Sequence, residues 1–455
     1  MSKLRIFLVL FLVVVLLPGL DAVAQEARAR EEMMKLIRKE KFDLVLPGAM
    51  RDNNIDMWIH VVQSGNEDPM ALDLGGQAII QTTADAFDTQ TFYVFTDRGG
   101  DGIERAILGG RGDRELYDIF GSEGDLTQFV AERDPGTIAV NMSDWLPASN
   151  GLTHTGYLRL VELLGEKYAD RLVSAAHLIT DFRVRRVQTE IVAFAKACEL
   201  QRQIIERALR NIKPGVTTRE EFGWWLEDQL LVRGLTPTPY GGRMPGVSHT
   251  GPGRSDTGKP GYIFQRGDFI STDWGVKYLN FGTDFKRKAY ILKEGETDIP
   301  DWMKRAWDRA IQAREVIRKT IKIGPTAAEN LKMVARALED SGFIYVDMTN
   351  VGSKDREAVN AFGEDERSVV TVDCHCVGNF GWSQIAEGPS IAPFRSRRAG
   401  LKVQQNNLFA FEFVVRTWVP ELGRRWSVSL EDNAIVTEKG VEALYPREDR
   451  IIVIP

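Results

Sequence analysis

The chain has 455 residues, 43% of them hydrophobic, and a formal charge of −6 at neutral pH. That is enough chain for two or three domains with real cores, and its composition is that of a globular protein rather than a disordered one. The acidic balance leaves no basic surface for nucleic acid or anionic lipid and argues against both as partners.

The amino terminus carries Lys3 and Arg5, an unbroken apolar run from Ile6 to Leu17, and the small-residue pattern Ala22, Val23, Ala24. These features read as a signal peptide over residues 1–24, cut before Gln25, so the protein is expected to be exported to a periplasm or secreted. The apolar run falls short of the ~20 residues that a membrane span needs, and no stable membrane anchor is expected. Only Cys198, Cys374 and Cys376 supply thiols. They do not form a disulfide framework, and Cys374 and Cys376 lack the usual spacing of a structural zinc site, so they read as packing residues.

Residues 25–180 read as an α/β amino-terminal domain. A charged helix reaches about Lys41, strands are expected over 42–46, 57–62, 77–81, 91–96 and 137–141, and helical stretches over 116–120 and 157–167. His60, His154 and His177 stand alone and are assigned no role. From Asp181 the texture changes to long amphipathic helices, expected over 187–211, 218–233, 302–321 and 327–340. Ile212, Lys213, Gly215 and Thr217 match Ile321, Lys322, Gly324 and Thr326 at a constant offset of 109. This reads as an internal duplication, each half a helix pair followed by strands. Between them, Gly253 to Lys259 approximates a phosphate loop, but Pro260 stands where its Ser or Thr belongs, and no nucleotide site is assigned.

The chemistry lies in the second half. In the stretch GDFISTDWGVKYLNFGTDFKRKAYIL, residues 267–292, a β-hairpin brings Asp273 and Asp284 together. Facing carboxylates repel unless a proton or a cation lies between them. Glu412 interrupts the apolar run LFAFEFVV, and burying an unpaired carboxylate there would cost several kcal/mol. Glu431 sits similarly in the following strand, and His375 adds a nitrogen at the end of a third apolar run. Four carboxylates and one imidazole make an oxygen-rich site suited to a pair of divalent ions such as Mn²⁺, Fe²⁺, Co²⁺ or Zn²⁺. Two such ions can hold a bridging hydroxide and polarise a carbonyl, which suits amide hydrolysis.

The order and spacing of Asp273, Asp284, His375, Glu412 and Glu431, framed by GDFISTDWG, TDFKR, LFAFEF and LEDNAIVTEKGVEAL, resemble the pita-bread metallopeptidases. That superfamily includes methionine aminopeptidase, prolidase, aminopeptidase P and creatinase. FRVRRVQTEI from Phe182, Trp58 with Ile59, and the run Asn66 to Pro69 extend the resemblance over nearly all of the mature chain. It implies an α/β amino-terminal domain, then an α+β pita-bread catalytic domain over 181–455 with a pseudo-twofold duplication.

The resemblance also implies Asp273 as a ligand of one metal, His375 of the other, and Asp284 and Glu431 as shared ligands. Glu412 would be both a ligand and the general base, and His249 would steady the substrate. A short peptide substrate and a homodimer are implied as well. Two positions depart from the pattern. Trp382 stands where these peptidases usually have a second histidine and would line the substrate pocket, and Ser429 stands where the proline-specific branch often has arginine. These departures keep two alternatives open, a creatinase-like enzyme acting on a small non-peptide molecule and a metal-binding protein without turnover.

Overall fold

The structure is a computed structural model and describes residues 20–63, 66, 68–75, 90–100, 102–110, 112–238, 244–250, 257–379 and 387–455. The chain divides into two compact units. One runs to Val140 and includes Leu152–Val173, and the other comprises Asn141–Gly151 and Ser174–Pro455. The expected leader falls largely outside the described residues, and so does the strand expected over 77–81.

The first unit is built on a six-stranded mixed sheet. Its strands β1 (Met57–Gln63), β2 (Gln90–Asp97), β3 (Ile103–Leu108), β4 (Ile119–Gly121), β5 (Ile138–Val140) and β6 (Leu172–Ser174) lie in the order β4-β3-β2-β1-β5-β6. β1 pairs antiparallel with β2 and parallel with β5. Helix α1 (Leu20–Glu40) continues through a π-helical turn, Lys41–Val45, into α2 (Leu46–Asp52). The strand expected over 42–46 is therefore helical. Met34, Ile37, Phe42, Val45, Leu46, Ala49 and Met50 are buried while Leu44 is 72% exposed, which is helical spacing of an apolar stripe that a five-residue window misreads. The helix expected over 116–120 is likewise a turn leading into β4, which pairs parallel with β3.

The second unit repeats a pattern of two helices followed by strands. Helices α3 (Gln188–Arg210) and α4 (Arg219–Val232) precede β7 (Gly246–His249), β8 (Asp268–Trp274) and β9 (Phe285–Ile291). Helices α5 (Asp301–Thr320) and α6 (Ala327–Asp340) precede β10 (Val369–Val372), β11 (Cys374–Cys376), β12 (Leu408–Val419) and β13 (Arg424–Thr437), and the chain closes on β14 (Ile452–Ile454). One sheet has the order β14-β9-β8-β7, and in the other β12 pairs with β10, β11 and β13.

Within each half the two helices are joined by a matching turn. Gly215 N donates to Phe264 O and Gly324 N to Val403 O, each at 2.8 Å, and both glycines have positive φ. Thr218 and Thr326 then cap α4 and α6 through matching capping boxes with Glu221 and Glu329. The glycines are 109 residues apart but the capping threonines only 108, so the first half carries one extra residue and Thr326 corresponds to Thr218, not Thr217.

Strand alternation separates core from site. Phe409, Phe411, Phe413 and Val415 of β12 join Met303, Trp307 and Ile317 of α5 and Val334 and Leu338 of α6 in one apolar cluster. Ala410, Glu412 and Val414 alternate onto the other face.

Candidate metal centre

Register brings the five expected ligands onto one locus. Glu412 lies directly opposite Glu431 in the β12–β13 ladder. His375 pairs with Ala410, two residues from Glu412 and so on the same face of that sheet. In the hairpin, Asp273 of β8 pairs with Lys286 of β9, not with Asp284. Asp284 immediately precedes β9, and its backbone N–H donates to Asn433 Oδ1 at 3.3 Å, tying the hairpin to the second sheet.

Lys286 is the residue that sequence reasoning missed. Alternation from Asp284 puts its side chain on the face of the carboxylates. There its Nζ lies 2.5 Å from Glu431 Oε2, 2.7 Å from Glu412 Oε1 and 3.1 Å from Asp273 Oδ2. Burial opposes its charge, but Glu431, Glu412, Asp273 and Asp284 together outweigh burial and hold the ammonium well above the ordinary lysine range. The sequence shows three adjacent bases in TDFKRK, and only the fold shows that every residue of their strand is buried. Arg287 turns to the opposite face and pairs with Asp432 at 2.9 Å.

The centre is graded in exposure. The side chain of Asp273 is 50% exposed and that of Glu412 21%, whereas Glu431 and His375 are buried. Burial, then the Asp273 charge, raises the Asp284 carboxyl to about 8, and burial, then Asp284, lifts Glu431 well above its usual range. Burial, then Arg395, pulls His375 down to about 3, leaving a neutral imidazole, the form that binds metal. Cys374 and Cys376 on either side of it are buried free thiols.

Among the described residues, two donor sets could hold an ion. Ligand atoms of Asp284, His375 and Glu431 lie within 4.8 Å of one another, and so do those of Asp373, His375 and Glu412. Asp373 is already clasped by Arg395 at 2.7 and 2.8 Å. The first set therefore fits one divalent ion. Lys286 meets Asp273, Glu412 and Glu431, three of the four carboxylates expected to share two ions.

His249 is not brought to this cluster. It pairs with Asp268 in the β7–β8 ladder, and its Nδ1 lies 2.7 Å from Asp268 Oδ1. Asp268 is fully buried and also accepts from the Tyr262 hydroxyl at 2.9 Å and the Gln265 N–H at 2.8 Å. Five residues separate Asp268 from Asp273 along one strand, so the two point to opposite faces and His249 shares the face away from the ligands. Ser429 lies two residues before Glu431 on its face and is half-buried. Trp382 lies outside the described residues.

Known proteins place this geometry in a family. Residues 193–438 match the model described as Metallopeptidase family M24. A curated protein of Mycoplasma pneumoniae named "Putative Xaa-Pro aminopeptidase" is 26% identical over 165 residues, which is 36% of this chain and 44% of that protein. The chain thus spans less than half the length of that relative. Among solved structures it resembles an X-Pro aminopeptidase from Thermotoga maritima MSB8, with a TM-score of 0.58, 16% identity, and coverage of 90% of this chain and 100% of that one. It also resembles a Xaa-Pro dipeptidase from Bacillus anthracis, with a TM-score of 0.56, 16% identity, and coverage of 94% and 100%. The dipeptidase PepE from Mycobacterium ulcerans gives 0.57, 17%, 92% and 98%. At such identities these structures speak for the fold alone. The family match covers more than half of the chain and contains all five expected ligands, and on that ground the protein belongs to metallopeptidase family M24.

Proposed function

We propose that this protein is an exported hydrolase of short peptides, of the Xaa-Pro aminopeptidase or prolidase type. The observation that carries the reading is the convergence of Asp273, Asp284, His375, Glu412 and Glu431 from separate strands within a family M24 fold. Asp284, His375 and Glu431 would hold a divalent ion, which supplies Lewis-acid polarisation of a carbonyl and a source of acidified water. Mn, Co, Zn and Fe all suit these donors.

The chain's own groups supply the rest. Glu412, reachable from solvent and hydrogen-bonded to Lys286, is the carboxylate placed to take a proton from an attacking water and return it to the leaving amine. Asp273 forms the open rim, where a peptide's amino terminus would find a carboxylate partner. Export rests on the pattern at residues 1–24, and a homodimer is proposed by analogy with relatives having an amino-terminal domain of this kind.

The test is an assay of the mature protein, loaded in turn with Mn²⁺, Co²⁺ and Zn²⁺, against X-Pro and X-Ala di- and tripeptides. Cleavage is expected, with Glu412→Gln lowering kcat by at least about a hundredfold. No cleavage with any metal would sink the peptidase reading. Lys286 and Ser429 favour a second reading, in which the same pocket handles a small non-peptide molecule or binds without turnover.

A further inference from the structure

The resemblance to two-metal peptidases gives Lys286 no part, yet it stands at the middle of the carboxylate cluster. We propose that its ammonium is the resident occupant of one cation position and that the site takes a single divalent ion, at Asp284, His375 and Glu431. The inference concerns the same cluster as the reading above, but it does not depend on peptide cleavage.

The placement is fixed by the backbone. Asp284 and Lys286 are two apart along the chain, and Lys286 lies directly across the ladder from Asp273, so its side chain leaves the backbone on the face of the cluster. The ammonium has three N–H donors, and three carboxylate oxygens from three different strands meet it at 2.5, 2.7 and 3.1 Å. Its side chain is only 10% exposed. The nearby alternatives are taken, because Asp373 is clasped by Arg395, and Asp432 by Arg287.

Glu431 shows how the position is divided. Its Oε2 faces Lys286, while its Oε1 lies 3.9 Å from His375 Nε2, so one carboxylate spans the ammonium and the His375 side. A bridging carboxylate of a two-metal site would span two ions in the same manner. Charge agrees: the ammonium and one divalent ion supply three positive charges against four carboxylates. A second divalent ion would bring the total to five and force like charges together within a few ångströms.

The test is metal stoichiometry, measured by elemental analysis and calorimetric titration on wild type and on Lys286→Thr after equilibration with excess Mn²⁺, Co²⁺ or Zn²⁺. Wild type is expected to retain one ion per chain and Lys286→Thr two. Lys286→Arg keeps the charge and should stay at one, which covers the case in which the threonine variant does not fold. Two ions or none in wild type overturns the proposal, as does one ion in a folded Lys286→Thr. Failure to cleave any peptide would remove the peptidase reading and leave this count untouched.

Discussion

Lys286 and Lys288 pose the same problem at two positions of one strand. A buried ammonium costs several kcal/mol unless it is paired and fully hydrogen-bonded. Lys286 meets that condition with three carboxylates, whereas Lys288, also buried, is opposed chiefly by Glu448. Burial raises the Glu448 carboxyl from 4.5 to about 7, against the pull of Lys288 and Arg287. A carboxyl raised by folding favours the native state while it is protonated. Its contribution is fully present below about pH 4.5 and is lost as pH rises through about 7. Melting temperature should therefore carry a downward slope between pH 5 and 7 that Glu448→Gln flattens. An unchanged slope in the variant would assign the effect to another group. Little of this was legible beforehand, because a charged residue in a strand announces burial only when the whole strand is known to be central.

The elements of the second unit were more legible than those of the first, for physical reasons. Glu412 stands out because it interrupts an apolar run, and the ladder sets Glu431 of the next strand opposite it. Residues 42–46 misled because a short apolar run fits either period, and only the stripe from Met34 to Met50 reveals the helix. Motif likeness alone pointed to His249, and strand parity puts its side chain on the other face of the sheet from Asp273. The repeat was legible in its glycines but misaligned by one at its threonines. Equivalent caps should contribute equally, so Thr218→Ala and Thr326→Ala are each predicted to cost about 1 kcal/mol in urea unfolding. A cost confined to one of them would mean that the two helix pairs no longer share a role.

At the scale of the whole molecule, the order of ligands along the sequence foretold the family, but not what lies between them. Motif order reports the residues a fold keeps, and the cation at Lys286 is visible only once parity and distance are known. The three thiols carry a separate consequence. Cys198, Cys374 and Cys376 are fully enclosed, and burial pushes all three up, Cys376 to about 12. Thiol reagents and oxidants attack the thiolate, which these cysteines neither form at neutral pH nor expose. A disulfide-exchange dye should therefore titrate no cysteine in the native protein and all three after denaturation; a reactive thiol in the native state would contradict their enclosure. Cys374 and Cys376 flank His375, so an oxidant reaching either would first have to open the strand that holds the imidazole. The expected metal ligand is thus bracketed by sulfur that stays chemically silent for as long as the fold is intact.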